Sequence, residues 1–202
     1  MEALAAITGF ITWYKWKGSY LKWFPVYLSA ITLLEISHRV FESYSAVNNA
    51  YIVYEIVIPL EILFINWFFL KTLNKKNSRL VISGACIYLS SLILEKTLLY
   101  DKTYYFQSLS YTIGNLFILV YLIIFFIELV RSKNIFNFKK LTVFWICFAM
   151  LIFHLGTFPF YGLYNELGRD LGLFIPVAWF ATSLNYCMYT LFTIGFIWGK
   201  AV

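Results

Sequence analysis

The sequence predicts an all-α fold, a polytopic bundle of about seven transmembrane helices forming one integral membrane domain over residues 1–202. Three observations carry this reading. Apolar runs of about 20 residues, the length that crosses a hydrocarbon layer of about 30 Å, recur with short polar breaks between them. Charged residues make up 13% of the chain, about half the share usual in a soluble domain. Lys and Arg are also divided unevenly between alternate breaks, as expected when basic residues near span ends are retained on the cytoplasmic side.

The first span, residues 3–17, is the shortest. No basic region precedes it and no A-x-A-like cleavage site follows, so it is expected to stay in the mature chain rather than act as a signal peptide. The second, 21–40, opens on LKWFPVYLSA and carries Glu35 and His38. The third, 51–71, contains Pro59, which lacks a backbone donor and tends to kink a helix. The fourth, 80–99, and the fifth, 106–130, follow a Lys-rich and a short acidic break. The sixth, 141–161, ends near Pro159, and the seventh, 173–198, ends near Trp198.

With this segmentation Lys15, Lys17, Lys22, Lys71, Lys75, Lys76, Arg79, Arg131, Lys133, Lys139, Lys140 and Lys200 fall on one side. Only Arg39, Lys96, Lys102 and Arg169 fall on the other. The larger group is assigned to the cytoplasm of a bacterial inner membrane, with the N-terminus outside and the C-terminus inside. The acids divide the opposite way: Glu128 alone lies near the cytoplasmic face, and the other nine lie in the outer half or outside. An acidic outer vestibule accounts for this, and so does the plainer reading that acids occur wherever basic residues do not. Trp and Tyr cluster near span ends, where amphipathic rings favour the headgroup level.

The net charge of +6 does not mark a nucleic-acid binder, because the basic residues flank apolar runs; runs such as KTLNKKNSR are expected to touch anionic lipid headgroups. Membrane lipids and a protein partner within the membrane are the partners this pattern allows. Cys86, Cys147 and Cys187 lie inside apolar spans without a CxxC or a His at ligand spacing, and read as small core residues. No cofactor, Walker, H-E-x-x-H or G-x-S-x-G pattern occurs. The interior of the seventh span also lacks the Lys that a retinal Schiff base requires. LKWFPVYLSAITLLEISHRVFESY aligns faintly with LTVFWICFAMLIFHLGTFPFYGLY, which suggests a parallel 3+1+3 repeat with the fourth span as linker.

An ionisable side chain in the hydrocarbon costs about 2.5–3.5 kcal/mol on insertion scales, so each needs a reason. Glu35, His38 and Glu42 share one stripe of the second helix, which is expected to face the bundle interior or a wet cavity. Glu-x-x-His is a spacing that helical metal sites use, and His154 on the sixth span is the other histidine, so Glu35, His38 and His154 are the candidate metal ligands. The plainer alternative is a neutral His hydrogen-bonded to a carboxylate. Glu61 is a candidate proton donor, or a packing residue tied to a neighbouring Tyr or Asn; Glu35 is the second candidate for acid–base work. Glu55 is on the stripe of Pro59 and Asn66, apart from Glu61. His154, Thr157 and Tyr161 form an outward-leading stripe, as do Thr182, Asn185 and Tyr189. Both can line the same cavity, or tie helices together through hydrogen bonds of about 0.6–2 kcal/mol.

The short first span, YLKWFPVYLSAITLLEI, YEIVIPLEILFINWFFLKTLNKK and LTVFWICFAMLIFHLGTFPFYGL together resemble a group of small, uncharacterised multi-span proteins common in Bacteroidota, across nearly the whole chain. The signature is Pro-x-Glu in the third span and an FW...F..G pattern in the sixth, and it implies no activity. Ile58, Pro59, Leu60 and Glu61 are distantly similar to the Pro-x-Glu-Glu/Asp motif of the membrane lycopene cyclase family, whose acids are thought to protonate a polyene. Here Ile62 replaces the second acid, and Pro176, Val177 and Ala178 in the other half lack a carboxylate.

The expected function is therefore that of a membrane protein, more probably not an enzyme by these residues, with an outer-half polar cavity for a small ligand, lipid or partner protein. Its expected lining is Glu35, His38, Glu42, Glu61, His154, Tyr161 and Asn185. The alternatives are a lipid- or isoprenoid-modifying enzyme and a small repeat-type transporter.

Overall fold

The computed structural model describes residues 1–44, 56–98 and 108–200, with the side chains of 38–44, 98 and 134 excepted. Seven helices of ten residues or more occur among them: α1 (Glu2–Ile11), α2 (Trp23–Tyr44), α3 (Ile58–Thr72), α4 (Ser78–Leu98), α5 (Ser108–Arg131), α6 (Thr142–Gly162) and α7 (Leu171–Trp198). The described residues contain no strand, only a single bridge between Leu141 and Lys200. Four helical segments, Lys75–Thr97, Ser108–Arg131, Thr142–Gly162 and Leu171–Trp198, are long and apolar enough to cross a membrane.

The helices coincide closely with the apolar runs, with one marked difference at the start. The first run extends to residue 17, but α1 stops at Ile11 and the chain tightens into a 3₁₀ segment over Trp13–Trp16. The Thr8 and Thr12 hydroxyls both bond back to carbonyls within this short helix. Gly18, at φ 88°, then turns the chain toward α2, a conformation open to glycine because it has no Cβ. At about 1.5 Å per residue α1 covers about 15 Å, half of a hydrocarbon layer. Pro59 lies in the first turn of α3 rather than in its middle, where its missing N–H costs little. Residues 56–57 just before it make wide π-type turns.

Hydrogen bonds join alternate helix ends at one end of the bundle. Lys15 Nζ donates to the Ile197 carbonyl at 2.7 Å, and the Tyr20 and Thr72 hydroxyls meet at 3.0 Å. The Thr142 hydroxyl donates to the Gly195 carbonyl at 3.1 Å, and Lys200 N to the Lys140 carbonyl at 2.7 Å. Lys15, Lys75, Lys76, Lys133, Lys139, Lys140 and Lys200 are thereby gathered at this end. The far end carries the Glu166–Arg169 pair, 2.9 Å apart.

Around the bundle, α1 lies between α2 and α7, α7 packs most closely on α6, and α6, α5 and α4 follow in turn, with α3 against α4 and α5. Rings bridge α2 to α3: Tyr27 stacks on Phe64 at 4.0 Å, and Phe24 meets Phe64, Phe68 and Phe192 edge-on. Helices separated by aromatic rings leave more room between their backbones than α6 and α7, where Gly156 lets Leu184 approach so closely that a Cβ would collide with it. Large apolar side chains such as Leu33, Ile93, Leu155 and Trp179 point outward all round the perimeter. Such a surface suits lipid rather than water.

Candidate functional site

Polar side chains converge in the middle of this apolar bundle. Glu2, in the first turn of α1, is 8% exposed. Its carboxyl is faced by the hydroxyls of Thr32 on α2 and Tyr189 on α7. Glu35, one turn beyond Thr32, and Glu61 on α3 both lie within electrostatic range of Glu2 and of one another. The Tyr27 hydroxyl faces Glu61, which orients that carboxyl from the ring stacked on Phe64. Glu35, Glu61, Tyr27 and Tyr189 are half-buried, so the cluster is not sealed off. No Lys, Arg or His side chain among the described residues acts on Glu2 or Glu61.

The cluster rests on an aromatic floor. Phe24, Tyr27, Phe64 and Phe192 are in mutual ring contact, and Tyr189 joins them through Phe192 at 5.9 Å. The helices deliver the acids to one level because their starting points are staggered: measured along α1, α2, α3 and α7, Glu2, Thr32, Glu61 and Tyr189 all lie about 14–17 Å from the basic end. That is the middle of a layer about 30 Å thick.

A second polar group occurs across the bundle at similar depth. Asn115 on α5 donates through Nδ2 to the His154 carbonyl on α6 at 3.4 Å. Asn115 Oδ1 and His154 Nδ1 are buried without a hydrogen-bond partner, as is Asn185 Oδ1 on α7. Buried polar atoms are ordinarily paired, so each orphan marks a place for water or a ligand atom. Oε1 of Glu2 is a fourth such atom.

The structure thus brings together some of the residues singled out from the sequence and leaves others apart. Glu35 and Glu61 meet, with Glu2, Tyr27 and Thr32 as additional members that the stripes did not reveal. His154 belongs to the other group, its ring edge-on to Phe153 at 5.3 Å, and no acidic side chain among the described residues acts on it. Tyr161 stacks against Tyr111 at 4.7 Å toward the far end, while the Thr157 hydroxyl turns back to the Phe153 carbonyl at 2.7 Å. The side chains of His38 and Glu42, and all of Glu55, lie outside the described residues. Among those described, no three His, Cys, Asp or Glu side chains are close enough to hold one metal ion. Cys147 is buried, and Cys86 and Cys187 face outward as free thiols.

Comparison with protein-family models, with curated proteins and with solved structures finds no match.

Proposed function

We propose that this chain is a bacterial inner-membrane protein, with its basic end in the cytoplasm, whose seven helices surround a polar site that binds a small ligand at mid-depth. The observation that carries this reading is the convergence of Glu2, Glu35 and Glu61 from three helices, with the Tyr27, Thr32 and Tyr189 hydroxyls turned toward them. Helices in a membrane are tied adequately by Thr, Asn and Tyr at about 0.6–2 kcal/mol each. Three carboxyls add an insertion cost and mutual repulsion that packing does not require, and a bound ligand accounts for them. The twelve-to-four division of Lys and Arg supports the orientation. The apolar perimeter supports lipid as the immediate surroundings of every helix from α2 to α7, with α1 reaching mid-depth.

Native mass spectrometry with elemental analysis of gently purified protein tests the reading. The wild type is expected to retain a small mass that Glu61→Gln loses while keeping its thermal unfolding temperature. A mass retained equally by both, or by neither, overturns it.

One observation favours a second reading, a lipid- or isoprenoid-modifying enzyme: the pairing of a carboxyl with the Tyr27 phenol provides a proton donor at the apolar midplane. Conversion of a retained lipid by the wild type, abolished in Glu61→Gln without loss of lipid binding, would select it.

A further inference from the structure

We propose that the cluster of Glu2, Glu35 and Glu61 takes an organic ammonium ion, an amine or quaternary ammonium group carried on an apolar body; this rests on the ligand-binding reading above. The argument begins with charge. Three carboxyls on three helices act on one another with no basic side chain among the described residues to balance them, and a group of like charges at mid-depth calls for a cation.

Size comes next. The carboxyls interact through space but do not converge to the distances that a metal ion demands. The cation must therefore be broad enough to be shared between acids a few ångströms apart.

The wall and the open valence complete the case. Tyr27, Phe64, Phe192 and Tyr189 line the side of the cluster nearest the basic end, and aromatic faces attract ammonium groups while accepting apolar ones. Glu2 is more than nine-tenths buried, yet its Oε1 has no hydrogen-bond partner. An acceptor left open among acids and rings is what an N–H or N–CH₃ group of such a ligand would occupy. Inorganic cations satisfy the charge without using the rings, and neutral lipids use the rings without satisfying the charge.

The test uses the full chain in lipid nanodiscs, with benzyltrimethylammonium as probe and neopentylbenzene, its neutral carbon isostere, as control. The wild type is expected to bind the cation and to prefer it over the isostere by about tenfold or more. Glu61→Gln and Glu35→Gln are expected to lose that preference. Glu35 is half-buried, so its variant keeps the test open if changes at Glu61 or Glu2 unfold the protein. Equal binding of cation and isostere, or an unchanged preference in both folded variants, overturns the proposal. If the ammonium fails while Glu61→Gln still releases a different natural ligand, only the ligand class is wrong. If no ligand responds to Glu61→Gln, the reading beneath it fails as well.

Discussion

Glu128, in the last turn of α5, accepts a 2.6 Å hydrogen bond from the Asn77 side-chain amide and a second, at 3.2 Å, from the Asn74 backbone. One carboxylate thus clamps the turn between α3 and α4 to the end of a helix more than fifty positions away. It is the one acid at an end otherwise crowded with lysines, and its position follows from two donors waiting for it rather than from the basic residues nearby.

Removing this clamp exposes both donors to solvent. Glu128→Ala is expected to cost about 1–2 kcal/mol, read as a lowered thermal unfolding temperature of the detergent-solubilised protein. Glu128→Gln, which keeps an acceptor, should recover most of the loss. An unchanged temperature in Glu128→Ala would show that the two bonds contribute nothing net.

Gly84 on α4 lies directly against the Tyr121 hydroxyl of α5, and a Cβ there would run into it. That hydroxyl donates toward Asn66 Oδ1 and the Val81 carbonyl, so it cannot retreat without breaking both. Gly84→Ala is expected to destabilise by about 1–3 kcal/mol. Adding Tyr121→Phe should relieve part of the clash, making the double variant more stable than the sum of the two single ones. Strict additivity in unfolding measurements would contradict this account.

Glu95, near the end of α4, caps α5 from outside, accepting from Leu109 N at 3.1 Å and Ser110 N at 2.8 Å. Its charge also complements the positive end of the α5 dipole. Glu95→Gln is expected to weaken this start by about 1 kcal/mol. Hydrogen exchange should then quicken over 108–112 and stay unchanged over the end of α5 at Arg131. Equal protection in both proteins would remove the cap from the account.

The orientation is tested by single engineered cysteines in a background lacking Cys86, Cys147 and Cys187. Thiols placed at Asn77 and Asn137 are expected to react with an impermeant reagent only after the cytoplasmic face is opened. One placed at Asn165 should react in intact cells. The reverse pattern would invert the bundle.

Much of the architecture was legible because a bilayer-length apolar run is a long signal. The fifth, sixth and seventh runs agree with α5, α6 and α7 to within two residues at each end. The first failed at its end because Trp13, Tyr14 and Trp16 extend the apolar run while the backbone has already left the α-helix. Helix stripes place Glu35 on an inward face, but its neighbours depend on which helix lies opposite. Glu2 looked like one more outward acid, and only the shortness of α1 puts it beside Thr32 and Tyr189. The imagined approach of His154 to Glu35 fails for the same reason: depth was legible, but position around the ring was not.

The unequal lengths of α6 and α7 have a consequence for the surroundings. At about 1.5 Å per residue they measure about 31 and 42 Å, and because they are pressed together through Gly156 and Gly195 they cannot incline independently. The surplus emerges at the start of α7, where Leu171, Leu173 and Ile175 stay uncovered on one flank while Phe174 leans on Phe160 and Tyr164. The greasy belt of the molecule is therefore taller on that flank than elsewhere, and a bilayer wrapped around it must thicken there, giving the protein a preferred heading relative to its neighbours.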